Sequence, residues 1–152
     1  EYPSVEQCLG GVAHFDDTPE WIYGLDNPYL HGVYAPTLNE LAQENLAVSG
    51  EIPGDLVGAY FRNGPNPVHE SANRHHPFDG DGMVHGVYFR DGKAAYRTRY
   101  IKTAALQTEA RDGKSVAPGV MGPFDYAVSQ FGIKVTSNTG VCCYNGNLMT
   151  LW

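Results

Sequence analysis

At 152 residues the chain is long enough for one ordinary domain with a sizeable core. A net charge of −7 with no basic cluster argues against nucleic acid as a partner, and no apolar run approaches the roughly 18 residues of a membrane span. Glycine (18) and tyrosine (10) are abundant, a composition that favours turns and strands over helices.

The N-terminus shows no cationic stretch followed by an apolar one, so no signal peptide is read and a cytoplasmic, intracellular location is expected. The sequence opens on Glu1 rather than methionine and is expected to be a processed product or a piece of something longer. Cys8, Cys142 and Cys143 are read as buried or partly buried thiols in a reducing compartment. Adjacent strand residues face opposite ways, so Cys142 and Cys143 are not expected to share a site.

Residues 1–35 carry no clear period. Trp21, Ile22, Tyr23, Tyr29 and Tyr34, with Pro3, Pro19 and Pro28, describe an aromatic-rich extension strapped across a core. Thr37-Leu38-Asn39-Glu40 spells a capping box and predicts a short helix through about Asn45, with Leu38 and Leu41 inward. Residues 46–52 alternate as a strand (Leu46, Val48, Ile52), and Pro53-Gly54-Asp55 signals a turn. A second strand over 56–61 feeds Arg62-Asn63-Gly64-Pro65-Asn66-Pro67, read as a rigid loop in which Gly64 is free to take positive φ.

Residues 75–85, His75-His76-Pro77-Phe78-Asp79-Gly80-Asp81-Gly82-Met83-Val84-His85, form a second constrained loop running into a strand. Strands over 83–89 and 94–101 flank Arg90-Asp91-Gly92-Lys93, a strong hairpin signal. Thr103 caps a short helix to Arg111 that Gly113 stops, and 115–132 is irregular. A last hairpin over 140–152 turns at Asn145-Gly146, with Val141, Cys143, Leu148 and Leu151 as inward candidates. Trp152 ends an apolar run that has no turn or cap after it, an arrangement prone to association. Short hairpins joined by structured loops fit propeller blades better than a closed barrel. At roughly 40–50 residues per blade, a seven-bladed ring needs on the order of 300 residues, so this chain supplies about two to three blades.

His75, His76 and His85 with Asp79 and Asp81 could form a 2-His-1-carboxylate iron site. Calcium is disfavoured, because the loop enters an apolar strand and lacks the terminal Glu of a twelve-residue calcium loop. The stronger reading is structural: the carboxylates accept backbone amides in Asx turns and the imidazoles donate to carbonyls.

The 62–67 and 75–85 strings, in this order and at this separation, resemble the N-terminal signature of the carotenoid cleavage oxygenases, a family that includes lignostilbene dioxygenases. The likeness is strong over 60–67 and 75–85, fair over 141–152 and poor before residue 36. It implies an all-β fold, the N-terminal part of a seven-bladed β-propeller with short helices in its connecting loops. Residues 1–35 would be an extension and 36–152 the first part of an incomplete propeller domain. It also implies oxidative cleavage by O₂ of a conjugated C=C bond in a carotenoid, apocarotenoid or stilbene. The Fe(II) would be held by four histidines downstream of residue 152.

His85 aligns with the motif's own histidine, which is not an iron ligand in the family. No metal ligand or catalytic residue is therefore assigned here, nor at His14, His31 or His69. Substrate-tunnel positions carry over to Phe78 and, more loosely, to Phe124, with ordinary core packing as the alternative for each. The implied partners are an apolar conjugated substrate, O₂ and the remainder of the propeller, with peripheral membrane contact left open. This chain alone is expected to be inactive. The alternatives are a non-enzymatic β-rich fragment or binding module that keeps the scaffold motifs, and a small metal-binding β domain using the 75–85 cluster.

Overall fold

The computed structural model describes residues 27–31, 34–124 and 131–152. Cys8, His14, Trp21, Ile22 and Tyr23 lie outside the described residues, as does the middle of the irregular 115–132 stretch. After a single 3-10 turn at Pro28–Leu30, four strands form one antiparallel sheet: β1 (Ala42–Gln43), β2 (Gly58–Pro65), β3 (Gly82–Arg90) and β4 (Lys93–Tyr100). Their spatial order is β1-β4-β3-β2. Helix α1 (Ala104–Asp112) follows, and β5 (Gly140–Tyr144) pairs with β6 (Asn147–Leu151) in a separate hairpin. The described chain is thus mostly β with one short α-helix. A four-stranded antiparallel sheet has the make-up of one propeller blade.

Local chemistry decides the turns. Asp91 (φ 52°) and Gly92 (φ 68°) make the two-residue β3–β4 turn, and Asn145 (φ 48°) and Gly146 (φ 77°) make the β5–β6 turn. Both need left-handed backbone at two successive positions, which Asp, Asn and Gly tolerate. Helix α1 starts where Thr103 Oγ1 accepts the Leu106 amide and stops at Gly113, whose φ of 67° lets its amide bond Glu109 O.

Three predicted elements are corrected. The 37–45 helix does not form, because its capping groups find partners in the sheet. The Thr37 amide donates to Asn66 Oδ1, while Glu40 accepts the Tyr100 amide at 2.7 Å and pairs with Arg99 at 2.8 Å. A helix this short has a costly nucleus, and a sheet edge offering buried partners outcompetes it. Leu38 is buried as expected, but Leu41 is exposed. Residues 46–52 likewise form no strand; one bond, from the Leu46 amide to Ala94 O, ties them to β4, and Val48 is exposed. Finally, Arg62–Pro65 is strand rather than loop. β2 runs on to Pro65 opposite Gly82, and Gly64 has no positive φ. β2 lies at the sheet edge, where a proline forfeits no ladder bond on its open side.

The core gathers at one end of the sheet, where Val68, Met83 and Tyr100 meet Leu106 of α1. The β5–β6 hairpin is joined to β2 by Asn63, whose Nδ2 donates to the carbonyls of Ser137 and Gly140. Its expected inward face is corrected: Cys143, Leu148 and Leu151 are exposed, and Val141 is half-buried. The expectation of buried thiols also fails for Cys142 and Cys143, both free and exposed. A two-stranded ribbon has no second layer of its own to bury either face. Among the described residues no helix is long and apolar enough to cross a membrane.

Candidate functional site

The loop between β2 and β3 is held from beneath by its own acids. Asp81 Oδ2 accepts the Val68 amide at 3.0 Å and the Lys134 ammonium at 2.9 Å. Lys134 also donates to Glu109 Oε2 at 2.7 Å, and all three side chains are buried. Glu109 Oε1 in turn accepts the Val116 amide and the Ser115 hydroxyl. One ammonium therefore joins the loop, helix α1 and the 131–139 segment. Asp79 is equally committed: Oδ2 accepts the His76 amide at 2.7 Å and Oδ1 the Val120 amide at 2.8 Å. Both carboxylates accept backbone amides as expected, but not in Asx turns: the amides come from Val68, His76 and Val120.

Asn66 closes the loop's other end. Its amide donates to Asp81 O, and its side-chain Nδ2 donates to Thr37 O and to the Tyr100 hydroxyl. Burial is the largest influence holding the Tyr100 phenol well above its ordinary value, so it stays a neutral donor to Thr37 O.

The two motif glycines answer to close approach rather than to turning. A Cβ on Gly80 would lie 2.8 Å from the Asn66 amide nitrogen, and one on Gly82 would lie 2.6 Å from Thr136 O. Backbone sits where a side chain would otherwise begin.

The histidines do not converge. His76 Nδ1 accepts the Phe78 amide at 3.1 Å, and its ring meets Phe78 edge-to-face at 5.1 Å. His85 lies on β3 opposite Arg62 and Thr98, sharing a 2.7 Å hydrogen bond with the Tyr96 hydroxyl. The expectation that the rings donate to carbonyls is corrected at these two nitrogens, which meet an amide and a hydroxyl instead, while the buried Nδ1 of His75 has no hydrogen-bond partner among the described residues. Burial lowers the pKa values of His69, His75 and His85; the Arg62 charge also lowers that of His85, while Glu109 and Asp79 oppose the shifts at His69 and His75. Among the described residues no group of three or more His, Cys, Asp or Glu could hold a metal ion. The 75–85 cluster therefore does not fit an iron site.

Phe78 and Phe124 both stand outside the core, 59% and 46% exposed. Sequence reasoning missed Lys134, Asn73 and Asn66. Lys134 lies between Ile133 and Val135 in a pattern that reads as an ordinary outward lysine.

Fold and site together define an antiparallel β scaffold that presents aromatic loop side chains over a buried ionic anchor. Residues 34–152 match the family model described as retinal pigment epithelial membrane protein, and the chain belongs to that family, which is also that of the carotenoid cleavage oxygenases. A carotenoid cleavage oxygenase of Mycobacterium tuberculosis is 52% identical over 82 residues, covering 53% of this chain and 16% of the relative. A carotenoid 9,10(9',10')-cleavage dioxygenase of Arabidopsis thaliana is 36% identical over 140 residues, 81% of this chain and 26% of the relative. Among solved structures, the lignostilbene dioxygenase of Pseudomonas brassicacearum superposes with a TM-score of 0.71 at 29% identity, over 81% of this chain and 26% of that one. The chain thus spans about a quarter or less of the length of these relatives. A Synechocystis apocarotenoid oxygenase has also been solved in a cobalt-substituted form.

Proposed function

We propose that this chain is the N-terminal portion of a seven-bladed propeller dioxygenase that cleaves a conjugated C=C bond of a carotenoid, apocarotenoid or stilbene. The alkene and O₂ give two carbonyl products: one C=C bond breaks and each carbon takes one oxygen. The O₂-activating Fe(II) is assigned to four histidines outside these residues, and its contribution is to bind and activate oxygen. The observation that carries the reading is the anchored motif loop. Asp79, Asp81 and Lys134 are committed to holding it, and Phe78 is left at the surface. Membership in a family whose curated relatives are named carotenoid cleavage dioxygenases supports the reaction class.

In this role the chain's own residues position and exclude. Phe78 and Phe124 form part of an apolar wall for a flat conjugated body, held there by burial and stacking. The test is product analysis of the family-length protein given a carotenoid or a stilbene in air. Two carbonyl fragments whose masses sum to substrate plus two oxygen atoms support the proposal. Intact substrate recovered bound to protein would replace it with a non-enzymatic binding module.

A further inference from the structure

The loop that carries Phe78 and the segment that carries Phe124 are stitched together by Asp79 and by Asn73, to which the sequence assigns no role. Asn73 commits both ends of its carboxamide to the second segment. Its Oδ1 accepts the Gly119 amide at 2.8 Å, and its Nδ2 donates to Pro123 O at 2.8 Å. Asp79 adds the Val120 amide, and the Ala72 amide reaches Ala117 O. Gly119 lies so close that a Cβ there would run into the Asp79 carboxylate and the Arg74 carbonyl. The carbonyl held by Asn73 belongs to the peptide that leads directly into Phe124.

Two bonds from one planar amide permit only one separation of the parts they join. Asp79 is buried and holds both its own loop and Val120, whereas the Asn73–Pro123 bond lies at the surface. It can be broken without opening the core, and among the ties named it is the one that reaches the residue before Phe124.

We propose that Asn73 is a specificity-determining positioning residue: by tethering the Phe124 segment to the Phe78 loop, it fixes where Phe124 stands relative to Phe78 in the apolar wall and so which conjugated bodies fit. The inference rests on the reading of Phe78 and Phe124 as parts of a substrate wall given above. A stilbene is thin and unbranched along its conjugated bond, while a ring-capped carotenoid carries methyl branches and bulky ends. A wall held in one shape discriminates between them, and a wall with one member released discriminates less.

The test compares wild type, Asn73→Ala and Asn73→Asp in the family-length protein, each with a stilbene and with a ring-capped carotenoid. Asn73→Asp keeps the acceptor for Gly119 but loses the donor to Pro123, so it isolates the tether to the Phe124 segment. Both variants are expected to change the ratio of the two kcat/KM values by about tenfold, equivalent to about 1.4 kcal/mol, through KM rather than kcat. The Kd ratio for the same two chromophores on metal-free protein, read by absorbance, should move the same way. A purely structural Asn73 would lower Tm and both kcat/KM values in parallel while leaving both ratios unchanged, and that result overturns the inference. Should Asn73→Ala fail to fold, Asn73→Asp decides alone. Wild type that converts neither substrate brings down the functional reading and this inference with it; wild type that converts both, with ratios unmoved in the variants, brings down this inference only.

Discussion

Replacing Lys134 with methionine removes the cation that two buried carboxylates, Asp81 and Glu109, share. Its ammonium lies 2.9 Å from Asp81 and 2.7 Å from Glu109, with the three side chains 4%, 2% and 0% exposed. Methionine keeps most of the apolar stem, so the change is electrostatic rather than a cavity. Asp81 retains the Val68 amide, and Glu109 retains the Val116 amide and Ser115 hydroxyl. Those bonds do not replace a counter-charge, and breaking a buried pair by removing one partner costs about 3–5 kcal/mol. With a urea m-value of about 2 kcal/mol/M, the unfolding midpoint should fall by roughly 2 M. Adding Glu109→Gln to Lys134→Met removes one of the stranded charges, and the double variant should recover about 1–3 kcal/mol relative to additivity. Urea unfolding followed by near-UV circular dichroism measures both. A Lys134→Met cost under about 1 kcal/mol would refute the reasoning, since two carboxylates buried without a cation cannot be that cheap.

Other consequences follow from the same geometry. Gly82→Ala places a methyl 2.6 Å from Thr136 O and 2.8 Å from Ile101 Cδ1, and should lower stability by about 1–3 kcal/mol in the same urea assay; an unmoved midpoint would contradict the close approach. The pKa values of His69, His75 and His85 lie below the ordinary 6.5 chiefly because of burial, so the folded state prefers their neutral forms. Their contribution is complete above that value and is lost as pH falls through the folded values, because the unfolded chain takes up protons first. Tm should therefore drop on acidification from about pH 7.5 to 5, with a shallower slope in His85→Asn; a flat wild-type profile would sink this. In the family-length protein, Phe78→Ala should raise KM for a conjugated substrate about tenfold, the loss expected when about 1.4 kcal/mol of aromatic contact is removed. It should leave Tm nearly unchanged because Phe78 is largely exposed. An unaltered KM would remove Phe78 from the substrate wall.

What the sequence made legible were features settled within a few residues. Asp91-Gly92, Asn145-Gly146 and the Thr103-to-Gly113 caps need only local chemistry, and each forms where its residues stand. The failures share a cause in distance along the chain. Glu40 looks like a capping residue until Arg99 and the Tyr100 amide arrive from 59 and 60 positions away. Pro65 reads as part of a rigid loop until β2 is seen to be an edge strand. Lys134 carries no local mark at all, because its two carboxylates come from a loop and a helix that only the fold brings together. At the site, the motif's carboxylates were legible as amide acceptors, since Asp beside Gly commonly plays that part, but of their amides only that of His76 is near in sequence; those of Val68 and Val120 lie 13 and 41 positions away. The roles of its glycines were not, because what crowds them is backbone from residues 66 and 136. Asn73 could not be singled out before Gly119 and Pro123 were seen on either side of its carboxamide.

Iron content and turnover, measured side by side on the 152-residue chain and on a family-length protein containing it, test the account most directly. After equilibration with Fe(II), the longer protein should retain about one iron per chain, the single-site mononuclear case, and release carbonyl products from a carotenoid or stilbene. The 152-residue chain should do neither. Stoichiometric iron with turnover on the short chain would contradict the account, because the reactive centre would then lie among residues read here as its supporting wall.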